Sequence, residues 1–259
     1  MDYNEIKDKI GIKPYFETEL GVLYNADCLD VMAKMPDKCV DLVLTDPPYG
    51  IKADKGFGGF GGFGKPIARR KYNDNWDNER PQKVIFDNML RLSVLSIIFG
   101  GNYFADILPI STHWLVWDKL NTMPTFGDCE LAYTSSNRKS VKKYTVEYNG
   151  LLGQKDIRQH PTQKPVLIMS KIISDYSKDS DIIGDFYLGS GTTAVACEQL
   201  GRKWIGIEIS EKYCEIAKKR IKYESSQGKF EFTEDREATS KEVQDETLLS
   251  GSMGKPRCY

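Results

Sequence analysis

The sequence predicts a doubly wound, mostly parallel α/β fold, and three observations carry that prediction. Short runs of branched aliphatic residues, such as Val40-Asp41-Leu42-Val43-Leu44 and Asp181-Ile182-Ile183-Gly184-Asp185-Phe186, have the length and composition of buried strands. Segments with apolar residues at helical spacing lie between them, and strands alternating with helices favour parallel neighbours joined by right-handed crossovers. A glycine-rich turn, Gly189-Ser190-Gly191-Thr192, joins one strand to the next helix, which is the geometry of a nucleotide cradle.

In chain order, residues 1–20 are polar and predict an arm with a short helix. Gly21–Asn25 predicts a strand, and Leu29, Val31, Met32 and Met35 mark a helix that ends near Pro36. The strand at 40–44 leads into Thr45-Asp46-Pro47-Pro48-Tyr49-Gly50. Neither proline has an N–H and each fixes φ, so this turn is rigid and presents carbonyls beside a carboxylate and an aromatic ring. Acceptors next to a flat ring suit a planar ligand with an exocyclic amine, a nucleobase; the plainer alternative is a proline turn after a strand.

Residues 51–80 predict a flexible loop containing a Gly-Gly-Phe repeat (56–64), with Lys65, Arg69, Arg70 and Lys71 as candidate phosphate contacts. A helix with proline in its first turn follows at 81–94, then strands at 95–99, 113–117, 130–134 and 143–148. The polar stretch 119–160, with Arg138, Lys139, Lys142 and Lys143, is the candidate DNA-reading insert; a charge cluster of this kind is otherwise a solvated face. His160-Pro161-Thr162-Gln163-Lys164-Pro165 precedes a helix, which places Lys164 near a helix N-terminus. After the glycine turn and its helix, the strand Lys203–Ile207 ends in Glu208, at the spacing where an acid binds ribose hydroxyls. A final helix spans about 210–223, a strand is expected at 230–232, and 234–259 predicts a disordered tail.

The composition sets limits on function. Of 259 residues, 40% are hydrophobic and 28% charged, as expected of one sizeable globular domain. The first residues are polar and no apolar run reaches membrane-spanning length, so a cytoplasmic, membrane-free protein is expected. Cys28, Cys39, Cys129, Cys197, Cys214 and Cys258 form no Cys-x-x-Cys pair, which points away from a structural zinc site or a disulfide framework; no metal ligand is expected. The net charge of −1 does not advertise a nucleic-acid binder, yet the acidic run 231–246 conceals a basic remainder.

Taken together, these motifs resemble the S-adenosylmethionine-dependent DNA amino-methyltransferases, in the beta group where the catalytic motif precedes the cofactor motif. Asp46-Pro47-Pro48-Tyr49 matches the catalytic motif, Asp185 to Thr193 the cofactor turn (Tyr187 and Leu188 depart from its commonest form), and His160 to Pro165 the turn ahead of it. The resemblance covers about 21–220 and implies a Rossmann-like methyltransferase sheet with a small target-recognition insert, in a catalytic domain spanning 1–233. It implies that Asp46 and the Pro47 carbonyl accept the target amine while Tyr49 stacks on the base, Pro48 completing the motif. It further implies S-adenosylmethionine as cofactor. Asp185, Gly189 and Gly191, with Phe186, Ser190 and Thr192 in the same turn, would hold its methionine end. Glu208 would hold the ribose, Asp27 and Cys28 the adenine, and Lys164 or His160 the carboxylate. Duplex DNA is the implied partner and adenine N6 the implied acceptor, because Asp heads the catalytic motif. Cytosine N4 is the alternative, with RNA behind it. A homodimer and a companion restriction endonuclease belong to the same picture, and no residue here signals either.

Overall fold

A computed structural model describes residues 2–51, 77–120, 127–147 and 163–227. The Gly-Gly-Phe repeat, Lys65, Arg69, Arg70, Lys71, His160, the strand expected at 230–232 and the expected tail lie outside them. The described strands form one nine-stranded sheet in the order β1 (Phe16–Glu17), β2 (Gly21–Asn25), β9 (Lys203–Glu208), β8 (Ile182–Asp185), β3 (Val40–Thr45), β4 (Ser93–Phe99), β6 (Cys129–Thr134), β5 (Trp114–Asp118), β7 (Val141–Thr145). Only β1 and β6 run against the rest. The doubly wound, mostly parallel sheet is therefore as expected.

Alternation along the strands builds two cores. Leu23, Leu42, Leu44, Ile97 and Phe99 face one layer, together with buried residues of α4 (Val166–Tyr176), α5 (Thr192–Leu200) and α6 (Glu211–Gln227). Val22, Tyr24, Val43 and Ile98 face the other, with α1 (Tyr3–Ile10), α2 (Cys28–Met32) and α3 (Lys83–Leu92). Period-2 side chains on a strand require this division, since successive residues point to opposite faces.

Several boundaries differ from the sequence reading. The expected N-terminal arm is docked: α1 buries Ile6 and Ile10, and β1 pairs with β2. A polar sequence concealed this because one turn-spaced pair of isoleucines is enough to anchor two turns of helix. The helix expected at 81–94 ends at Leu92, and β4 starts directly at Ser93. The last expected middle strand begins two positions earlier, at Val141. The described part of 119–160 supplies β6 and β7 to the main sheet, where buried Ala132, Tyr133 and Tyr144 join the cores. No helix among the described residues is long and apolar enough to cross a membrane.

Winding in opposite directions from β3 and β8 opens a crevice at their C-terminal ends. In open α/β sheets, ligands bind at such a switch point. Here it lies between the strand that ends in Thr45 and the strand that ends in Asp185.

Candidate active site

Two motifs 140 residues apart meet across that crevice. Leu42 and Val43 pair with Ile183 and Gly184, and the Thr45 hydroxyl donates to Asp185 Oδ1 at 2.7 Å. Thr193 donates to Asp185 Oδ2 at 2.6 Å, and the Tyr187 N–H to Oδ1 at 3.1 Å. Burial raises the Asp185 carboxyl to about 6 despite these three donors. Its oxygens thus tie the two motifs together and set the direction of the cofactor turn.

Asp46 sits one residue beyond β3, and both its oxygens have partners. The Tyr49 hydroxyl donates to Oδ1 at 2.6 Å, and the Lys164 ammonium to Oδ2 at 2.6 Å. Lys164 is 6% exposed, lies 3.4 Å from Glu130 Oε2, and packs near the rings of Phe99 and Tyr49. Burial and the Glu130 charge push the Asp46 carboxyl up, with Lys164 opposing them. Burial would lower the Lys164 ammonium, but Asp46 and Glu130 outweigh it and raise it instead. Glu130 is held low, because Lys164 and Lys119 overcome its own burial. A half-buried carboxylate facing one adjustable cation is an acceptor poised for an incoming donor.

The Tyr49 ring is fixed from two sides. Tyr103 stacks on it, with centroids 4.8 Å apart and planes at 16°. Gly100, at φ +67, approaches so closely that a Cβ would stand 2.1 Å from the ring. No side chain fits at that position. The face on which a base was expected to stack therefore carries Tyr103, itself 39% exposed.

A cavity of about 310 Å³ opens beside this centre, lined by Asp27, Cys28, Phe186, Tyr187 and Glu208 from the sheet side and by Arg80, Pro81, Gln82 and Ile85 opposite. Asp27 caps α2 by accepting from the Leu29 N–H at 2.8 Å. Glu208 accepts the Gly189 N–H on Oε2 and the Ser210 N–H on Oε1, both at 2.8 Å. Each oxygen keeps a second lone pair for a hydroxyl. Burial raises the Cys28 thiol to about 11, so it serves as apolar wall. Gly191 takes φ +85, and a Cβ there would stand 2.9 Å from Ala217. The turn is open because only glycine fits it.

The structure gathers Asp27, Cys28, Phe186 and Glu208 into one cavity and Asp46, Tyr49 and Lys164 into an adjoining cluster. Lys164, expected at the cofactor carboxylate, has its amine on Asp46. Ser190 and Thr192 are held by Arg220, whose guanidinium donates to Ser190 O at 2.6 Å, Ser190 Oγ at 2.9 Å and Thr192 Oγ1 at 3.2 Å. Within the second basic cluster, Arg138 and Lys139 lie away from the site. Arg138 packs over Tyr176 at the end of α4, and its carbonyl accepts from Thr112 just before β5. Both neighbours mark the opposite edge of the sheet. Lys142 and Lys143 are paired with Asp175 and Asp118, and Lys139 is exposed on the same connection as Arg138. Sequence reasoning missed Glu130, Lys119, Tyr103 and Arg80, whose guanidinium grips Asp106 and donates to the Tyr103 carbonyl at 3.1 Å. None belongs to a recognisable motif; Glu130 reaches the site only because β6 runs backwards.

A family model for DNA methylases of the N6/N4 type matches residues 104–219. Type II methyltransferase M2.LlaDCHI of Lactococcus lactis subsp. cremoris is 29% identical, over 85% of this chain and 97% of its own length. Over these regions the chain is similar to the N6/N4 DNA methylases. Type II methyltransferase M.HinfI of Haemophilus influenzae is 25% identical, over 78% of this chain and 68% of its own length. Among solved structures, the M1.HpyAVI–SAM complex superposes with a TM-score of 0.53 at 24% identity, covering 78% of this chain and 99% of that one. The PvuII DNA methyltransferase, described as cytosine-N4-specific, reaches 0.56 at 16% identity, covering 91% and 94%. At these identities the superpositions establish a shared fold.

Proposed function

We propose that the chain methylates adenine N6 in duplex DNA, using S-adenosylmethionine. The observation that carries this reading is the Thr45–Asp185 bond, which sets the amine-accepting turn directly beside the glycine turn and its acidic cavity. Asp27 and Glu208 lining one cavity together with the apolar Phe186 and Ile85 suit an adenosine. Gly189 and Gly191 leave room for the methionine end. The cofactor supplies an electrophilic sulfonium methyl and a neutral thioether as leaving group.

The protein's own residues act on the acceptor. An aromatic amine's lone pair is delocalised into its ring, so Asp46 and the Pro47 carbonyl each accept one amine hydrogen and draw the nitrogen towards a tetrahedral shape. A hydrogen bond to a charged acceptor contributes about 1.5–3 kcal/mol. Orientation supplies the larger share, up to roughly 7–11 kcal/mol. Because the target must leave the duplex stack, Tyr49 receives it by stacking once Tyr103 has turned aside. After transfer the cationic nitrogen is acidic, and Asp46 takes its proton.

The DNA faces the C-terminal edge of the sheet. The basic residues Lys65, Arg69, Arg70 and Lys71 lie in a connection whose ends meet there, Gly50 donating to Asp77 at 2.8 Å. The relatives' type II names favour a setting in restriction and modification. Nucleoside mass spectrometry of duplex DNA methylated by the purified protein tests the reading. N6-methyladenine is expected; N4-methylcytosine alone would move the assignment to cytosine, and methylated RNA with unmodified DNA would refute it.

A further inference from the structure

Glu130 stands 3.4 Å from the Lys164 ammonium, yet its Oε2 is buried without a hydrogen-bond partner among the described residues. Its other oxygen pairs with Lys119 at 3.2 Å. The second residue of β6, it lies opposite Trp117 at the catalytic edge because β6 runs antiparallel to β4 and β5. Lys164 meanwhile occupies Asp46 Oδ2 at 2.6 Å, with the Tyr49 hydroxyl on Oδ1. Each oxygen keeps a second lone pair, but an amine donating there must share the carboxylate with both donors. A buried carboxylate oxygen without a well-formed hydrogen bond is costly, and this one has only the longer ion pair with Lys164, at 3.4 Å. We propose that Glu130 is a positioning residue that gives Lys164 a second seat, so that the ammonium moves off Asp46 as the target amine arrives.

The displacement required is small. An ammonium–carboxylate hydrogen bond is about 2.8 Å long, so a shift of roughly half an ångström towards Glu130 satisfies Oε2 and loosens the ammonium's hold on Asp46. The Phe99 and Tyr49 rings, at 5.2 and 5.6 Å from the ammonium, stabilise the cation at either seat. Lys164 thus opposes the rise that burial imposes on the Asp46 carboxyl and leaves without crossing open solvent. The Lys119 pair fixes the Glu130 carboxylate in place. The charged and titratable groups around Asp46 are Tyr49 from its own turn, Lys164 from the lead into α4, Glu130 from β6 with Lys119 behind it, and Asp185 from β8.

This inference rests on the methyl-transfer reading, and two experiments keep them separable. The first compares Glu130→Gln with wild type in single-turnover transfer from radiolabelled S-adenosylmethionine to unmethylated genomic DNA, across pH, with cofactor affinity by calorimetry. The single-turnover rate is expected to fall about tenfold or more, with cofactor affinity held within about threefold. The acid limb should move to lower pH, because a negative charge near Asp46 has gone. A wild-type rate and limb in the variant, or a rate loss matched by lost cofactor affinity and a lower Tm, overturns the proposal. The second is a crystal structure of Asp46→Ala, in which Lys164 Nζ should lie within about 3.0 Å of Glu130 Oε2. An ammonium found elsewhere overturns it. If wild type methylates no nucleic acid, the functional reading fails, while the Asp46→Ala structure still decides the second seat.

Discussion

Asp46 is a half-buried carboxylate and Asp185 a buried one, and their surroundings set them different tasks. Asp46 has a movable cation beside it, and Asp185 has only fixed hydroxyls and an amide. Replacing Asp46 with Ala removes the charged acceptor and should slow transfer by roughly 10- to 150-fold, the equivalent of about 1.5–3 kcal/mol. Cofactor affinity measured by calorimetry should stay near wild type. Because burial lifts the Asp46 carboxyl, the acid limb of the single-turnover rate should lie above the ordinary carboxylate range near about pH 4. Asp185 offers a stability test. Its folded pKa of about 6 exceeds the ordinary 3.8, so folding favours the protonated form. That contribution is complete below about pH 3.8 and is lost as pH rises through about 6. At 1.36 kcal/mol per pH unit the span is about 3 kcal/mol. Urea unfolding at several pH values should show this slope in wild type and not in Asp185→Asn.

Among the elements, those that were legible in the sequence carry their signal locally. The strand runs at 40–45 and 182–185, the glycine turn and the acid at Glu208 lie where spacing alone put them. The docking of α1 was not legible, because Ile6 and Ile10 become core only against Val22 and Tyr24. The strands at 130–134 and 143–148 were legible as strands, but their place in the main sheet was not, because their pairing is long-range. Ile6→Ala should therefore cost about 2–5 kcal/mol, as for any fully buried isoleucine, where a free arm would show no change in chemical denaturation. In the cofactor turn, Gly191→Ala meets both a positive φ and the Ala217 contact. A loss of about 1–3 kcal/mol from backbone strain is expected, together with weakened S-adenosylmethionine binding.

At the scale of the whole molecule, strand direction separates two basic regions that look equivalent in the sequence. Arg138 and Lys139 occupy the β6–β7 connection at the edge away from Asp46, while the connection carrying Lys65, Arg69, Arg70 and Lys71 leaves and re-enters the sheet layer at the catalytic edge. No sequence pattern distinguishes a solvated charge cluster from a phosphate-binding one; only topology does. Each phosphate contact contributes about 0.9 to the slope of log affinity against log salt. Neutralising Arg69, Arg70 and Lys71 together should lower that slope by about 2–3, and neutralising Lys139 and Lys142 should leave it nearly unchanged.

The reversal of β6 has a consequence for how such a scaffold can diversify. In a wholly parallel sheet, the links that follow strands open at the ligand edge and those that precede them open at the far edge. One backward strand exchanges these roles locally. Residues 119 and 128, which bracket the β5–β6 link and bond through Lys119 N–H to Asp128 O at 3.0 Å, stand at the mouth of the site. Sequence gained or lost there alters what flanks the target without disturbing any strand of the cofactor half. The β6–β7 link has no such reach, so insertions tolerated in it should be silent for specificity.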